Sequence, residues 1–154
     1  MATELSISRL MWLRLSWRLR QRGGGERESG AFLLGPKSGG RVTGFICYDD
    51  LDPRCLDTGI IRFDGRGYVS LWKACAERKL KVVADVHTHP GDWTEQSEAD
   101  RTHPMIAQLG HLALILPNFA QHSLFGPNGA GFFRYRGDGR WETMPPSSLR
   151  LTLF

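Results

Sequence analysis

The 154-residue sequence predicts a mixed α/β fold: one mixed β-sheet flanked by two or three helices, in a single domain spanning residues 1–154. Three observations predict it. Short apolar runs of strand length are interspersed with segments of helical spacing, an order that gives a sheet with helices packed on it. Glycine- and proline-rich punctuation separates these runs, at Gly23-Gly24-Gly25, Pro36 to Gly40, Pro90-Gly91 and Gly137-Asp138-Gly139. The 41% hydrophobic and 23% charged fractions are those of globular proteins, which excludes a disordered or fibrous chain.

Residues 5–21 carry two conflicting signals. Leu13, Leu15, Trp17 and Leu19 alternate with Arg14, Ser16, Arg18 and Arg20 in a period of two. The residues are nevertheless good helix formers and end in a glycine triplet, so a helix is the preferred reading and a strand the alternative. Ala31 to Gly35 reads as a buried strand, and Arg41 to Tyr48 as a second one after the turn at Pro36–Gly40. Asp49 to Thr58 is polar loop, and Ile60 to Phe63 a short strand. From about Gly67 to Lys79 the spacing of Val69, Leu71, Trp72, Cys75 and Ala76 predicts an amphipathic helix. Lys81 to His89 is a strand stopped by Pro90-Gly91, and Thr94 to about Leu109 is helical in composition. Leu112 to Leu116 is a strand ended by Pro117. Gly131–Arg136 and Arg140–Thr143 form a hairpin, and Leu149 to Leu153 alternates like a final edge strand.

Charge and cysteines narrow the function classes. Lys and Arg total 20 against 16 Asp and Glu, a net charge of +4, with Arg9, Arg14, Arg18, Arg20, Arg22 and Arg27 gathered near the start. A basic face attracts phosphates or an acidic protein alike. No basic run is interleaved with aromatics in a nucleic-acid motif, so nucleic acid is not the expected partner. Cys47, Cys55 and Cys75 contain no C-x-x-C pair, which argues for free thiols in a reducing compartment. The apolar N-terminal residues are broken by arginines, and Leu112–Leu116 is far too short to span a bilayer. The expectation is a cytoplasmic protein without a membrane partner.

The chemistry lies in Val86-His87-Thr88-His89-Pro90 and the residues through Asp100. On a strand, residues two apart share a face, so His87 and His89 aim their imidazoles at one point. Ser97 and Asp100, three apart, share a face at the start of the following helix. Folding that helix back over the strand end brings Asp100 beside the histidines. Two imidazoles and a carboxylate make a three-ligand set for one Zn2+ ion, with the open fourth position of a catalytic site. A hydrolase of this kind needs a general base. The upstream candidates are Glu26 and Glu28, just before the buried strand.

Glu28-Ser29-Gly30-Ala31-Phe32-Leu33-Leu34-Gly35 followed by H-x-H-P and S-x-x-D resembles the JAB/JAMM (MPN+) zinc metalloprotease family. Within the first segment Ala31 stands where the family usually has glycine. The resemblance implies a JAB/MPN-like, cytidine-deaminase-like sandwich. It further implies a zinc isopeptidase or peptidase cutting after the C-terminus of a ubiquitin-like protein, in deconjugation or precursor processing. His87, His89 and Asp100 match the metal ligands, Glu28 the catalytic acid/base, and Ser97 the residue whose hydroxyl holds the oxyanion. The compact length resembles the bacterial branch found with ubiquitin-like conjugation operons, some antiphage, whose E1/E2-like proteins would be partners. A peptidase trimming a sulfur-carrier protein and a RadC-like DNA-associated module are the competing readings. Asp85, on the strand face of His87, is a candidate to orient it, and Trp93 a candidate to line the substrate groove. His103 is a weaker metal candidate, while His111 and His122 show no matching partners.

Overall fold

The computed structural model describes residues 3–154. The chain opens with strand β1 (Leu5–Ser8) and helix α1 (Arg9–Gly23), so residues 5–21 hold both of the conformations their sequence signals. The helix starts where Ser8 caps it, its hydroxyl accepting the Met11 N–H at 3.1 Å, and ends at Gly24 in the left-handed conformation. Trp12, Leu15, Ser16, Leu19 and Gly23 are its buried residues, a helical spacing that the apparent alternation concealed.

Strands β2 (Gly30–Gly35), β3 (Arg41–Val42) and β4 (Gly44–Cys47) follow, so the predicted strand Arg41–Tyr48 is broken at Thr43, and its last residue opens a short helix α2 (Tyr48–Leu51) in what reads as loop. Ile60–Phe63 is not a strand: it runs as an extended connection into helix α3 (Gly65–Arg78), with Ile61 and Phe63 packed against the core. Strand β5 (Lys81–Thr88) leads to helix α4, which spans only Glu98–Thr102 instead of the predicted Thr94–Leu109. Pro104 lacks a backbone N–H and disfavours helical geometry at His103, so the helix stops there. Strand β6 (Leu112–Leu116), the hairpin of β7 (Gly131–Gly137) and β8 (Arg140–Thr143), and β9 (Leu149–Thr152) complete the chain.

The mixed sheet with flanking helices has the order β4-β2-β5-β6-β7-β8, with β5 and β6 parallel and the other neighbours antiparallel. Beside it lies a small parallel sheet, β3-β1-β9, that the sequence did not predict. Two cores sit on opposite faces of the large sheet. Ala31 and Leu33 of β2 and Ala84 and Val86 of β5 pack under α1 with Trp12, Leu15 and Leu19. Phe32 and Leu34 pack on the other side with Tyr48, Leu56, Leu71 and Cys75. All three cysteines are buried and unpaired, and burial pushes the Cys47 and Cys55 thiols up to about 12. No described helix is long and apolar enough to cross a membrane.

Gly30 has no room for a side chain. A Cβ there would lie 2.2 Å from the Tyr48 ring and 2.8 Å from the Val86 carbonyl oxygen. Gly30→Ala must push Tyr48 aside or distort the β2–β5 ladder, and is expected to lower stability by about 1–3 kcal/mol in denaturant unfolding.

Candidate metal centre

Strand β5 alternates between the two cores, and that alternation fixes the site. Ala84 and Val86 face α1, so Asp85 and His87 face the opposite side, where a cleft of about 950 Å3 opens. His89 lies one residue beyond the strand, its N–H donating to the Leu116 carbonyl and its carbonyl accepting the Phe119 N–H, both at 2.9 Å. The clamp on His89 comes from a tight turn in which Asn118, Phe119 and Ala120 all hold φ between 53° and 61°. Three consecutive non-glycine residues in the left-handed region store strain, and here they fasten the loop that carries His89.

Asp100 is mounted by a capping box at the start of α4. The Ser97 hydroxyl oxygen accepts the Asp100 N–H at 3.1 Å, and the Ser97 N–H donates to Asp100 Oδ2 at 2.9 Å. The S-x-x-D spacing is thus a helix start as well as a site motif. The result brings His87, His89 and Asp100 together, with one ligand atom from each lying within 4.8 Å of the others. The two Nε2 atoms are 3.2 Å apart, and Asp100 oxygens lie 3.4 Å from His87 Nε2 and 3.1 Å from His89 Nε2. Donors about 2.0–2.1 Å from a tetrahedral ion stand about 3.3 Å from one another, so the donor set fits such an ion.

Second contacts prepare these ligands. His89 Nδ1 is 3.0 Å from the Trp93 carbonyl, which can only accept, so Nδ1 carries the proton and Nε2 keeps its lone pair for a metal. The Trp93 indole stacks on the same imidazole, with centroids 5.3 Å apart and planes 13° apart. Trp93 is therefore behind His89 and does not line the cleft. Asp85 does not orient His87 by a hydrogen bond. Its carboxylate instead binds His111 Nε2 at 2.6 Å and the Tyr48 hydroxyl at 2.9 Å, so His111 has the buried partner that its position in the sequence did not reveal. His103 and His122 are exposed.

Glu28 lines the cleft with His87, Ser97 and Asp100, whereas Glu26 is exposed and does not. Glu28 is anchored beside the unpredicted extended segment, its N–H donating to the Gly59 carbonyl at 3.0 Å. Burial raises the Glu28 pKa, and the nearby histidines only partly oppose that. Burial would also raise the Asp100 pKa, but in the metal-free protein the contacts with His87 and with the protonated form of His89, whose Nε2 then also carries a proton, hold it far below the carboxylate range. For His87, burial alone would lower the pKa; the hydrogen bond and charge of Asp100 outweigh it and raise it.

No protein-family model matches the chain. Among solved structures it is similar to DSY2949 from Desulfitobacterium hafniense, with a TM-score of 0.68, 18% identity, and coverage of 96% of this chain and 92% of that one. It is also similar to a protein from Salinibacter ruber, with a TM-score of 0.59, 15% identity, and 92% and 89% coverage. A third likeness is to AF2198, a JAB1/MPN domain protein from Archaeoglobus fulgidus, with a TM-score of 0.52, 18% identity, and 98% and 100% coverage. The fold is MPN-like. Within it, His87 and His89 stand at the end of the central strand β5, and Asp100 reaches them from the start of α4.

Two outcomes follow for the metal-free protein. The raised His87 pKa contributes stability that is full below its unfolded value near 6.5 and is lost as pH rises through the folded value. The lowered Asp100 pKa contributes stability present above about 3.8 and lost as pH falls through the folded value. With chelator present, melting curves of wild type minus His87→Gln should show the largest difference between roughly pH 4 and 6.5, shrinking towards alkaline pH. Trp93→Ala should weaken metal binding about 10–100-fold in a competitive chelator titration, with Trp93→Phe keeping most of the affinity.

Proposed function

We propose that the chain is a zinc-dependent peptidase or isopeptidase that cuts after the C-terminal tail of a ubiquitin-like protein. The observation that carries this reading is the convergence of His87, His89 and Asp100 beside a Glu28 whose proton affinity burial has raised. Imidazole nitrogens and a carboxylate without thiolate suit Zn2+, which supplies Lewis acidity that polarises a carbonyl and brings a water pKa down to about 7. Three protein ligands, with no fourth among the described residues, are the donor number of a catalytic ion.

The chain's own residues divide the remaining work. Glu28, whose pKa burial raises, takes the proton of the attacking water and returns it to the leaving amine. The Ser97 oxygen already accepts the Asp100 N–H, so its own O–H is free to donate to the carbonyl oxygen as negative charge grows there. The cleft of about 950 Å3 is lined by Glu28, the Ile60–Arg62 segment, Ser97, Asp100 and Met105, room for several residues of an extended tail. A ubiquitin-like conjugation system, with activating and conjugating proteins in the same cell, is the setting this reading implies.

The purified protein should hold about one zinc per chain and cleave a ubiquitin-like fusion after its last residue. Glu28→Gln should keep the metal and lose activity, His87→Ala should lose both, and Ser97→Ala should lower turnover about 10²–10³-fold. Full activity in Glu28→Gln would sink the mechanism.

A further inference from the structure

One surface of the molecule takes no part in the cleft, and its composition is unusual. Helix α1 contains no acidic residue, and Leu10, Leu13 and Trp17 form an exposed apolar stripe at i, i+3 and i+7. Leu10 and Leu13, with Leu124, Phe125 and Leu151 from elsewhere in the chain, surround a hollow of about 250 Å3. Phe125 is 90% exposed beside it. Around the stripe stand Arg9, Arg14, Arg18 and Arg20, all exposed and without an ion pair among the described residues. Arg22 differs, because Asp49 and Asp50 neutralise it at 2.8 and 2.9 Å. Arg20 sits over the Trp17 ring at 5.9 Å, adding a cationic group to the aromatic one.

An apolar centre with a small hollow, rimmed by unneutralised arginines and a tryptophan, has the anatomy of a protein interface centre. The uncompensated positive rim selects its occupant by charge. A second copy related by two-fold symmetry would set arginines against arginines. A hollow sized for one side chain suits an anchoring residue better than a fluid bilayer or a phosphate backbone. We propose that this face of α1 docks an acidic protein partner that inserts an apolar side chain between Leu10, Leu13 and Phe125. The surface lies across the sheet from the cleft, since Ala84 and Val86 face α1 while Asp85 and His87 face the cleft. A partner held there is a tether and not the cleaved substrate, so the proposal stands apart from the reaction.

The probe is a fluorescent helical peptide with leucines along one face flanked by glutamates, titrated with the full chain and followed by anisotropy. Saturable binding is expected, weakened by added salt, weakened at least roughly tenfold by Leu13→Asp and by Trp17→Ala, and lost when lysines replace the glutamates. Both side chains are exposed, and unchanged circular dichroism and melting would verify that the variants fold. Failure to bind the peptide, or equal binding by the variants, overturns the proposal. So do Leu13-dependent sedimentation with phosphatidylglycerol vesicles in place of peptide binding, retention by duplex DNA indifferent to Leu13→Asp, and a dimer in light scattering that Leu13→Asp dissolves.

Discussion

The site depends on one constraint, the two-residue period of the central strand. Because β5 is paired on both sides, by β2 and β6, its side chains can point only to one face or the other. Alanine and valine at positions 84 and 86 satisfy the core under α1, and that choice commits residues 85 and 87 to the opposite face. A one-residue slip would bury His87 under α1 and turn Val86 into the cleft. The close contact of Gly30 with Tyr48 and Val86 locks the register at the end of the ladder where the histidines emerge.

From that fixed strand, each further element of the centre is placed by hydrogen bonds that end on backbone groups, with the Trp93 ring stacked on His89 besides. The His89 loop is pinned by hydrogen bonds to Leu116 and Phe119, and Asp100 is held by a five-residue helix that begins in a capping box. Trp141 adds an indole N–H bond to the Arg101 carbonyl that ties the same helix to β8. Hydrogen-bonded fastening suits a group that could hold a metal ion, since it fixes side-chain positions without filling the space between them.

Much of this was legible in the residues. The H-x-H pair on a strand, the S-x-x-D pair on a helix start and the buried β2 strand all rest on short-range periodicity, and the structure brings the three metal-ligating candidates together. What escaped was decided by partners distant in sequence. Ile60 to Phe63 looks like a strand because apolar alternation reports burial, and Ile61 and Phe63 are indeed packed, yet no neighbouring strand pairs with them. The period of two in residues 13–20 arose because exposed Leu13 and Trp17 fell between buried Leu15 and Leu19. His111 looked solitary because its partner, Asp85, lies 26 positions away on a parallel neighbour strand. The left-handed turn at Asn118–Ala120 contains no glycine to announce it.

The three buried cysteines bear on where such a centre can operate. Thiolates are the form that peroxides and disulfides attack, and burial keeps these thiols protonated. The ligand set itself contains only nitrogen and oxygen donors, which two-electron oxidants do not convert into poorer ligands as they do sulfur. The thiols of the scaffold are thereby set apart from the redox poise of the surroundings, and the His-His-Asp group offers an oxidant no sulfur to attack.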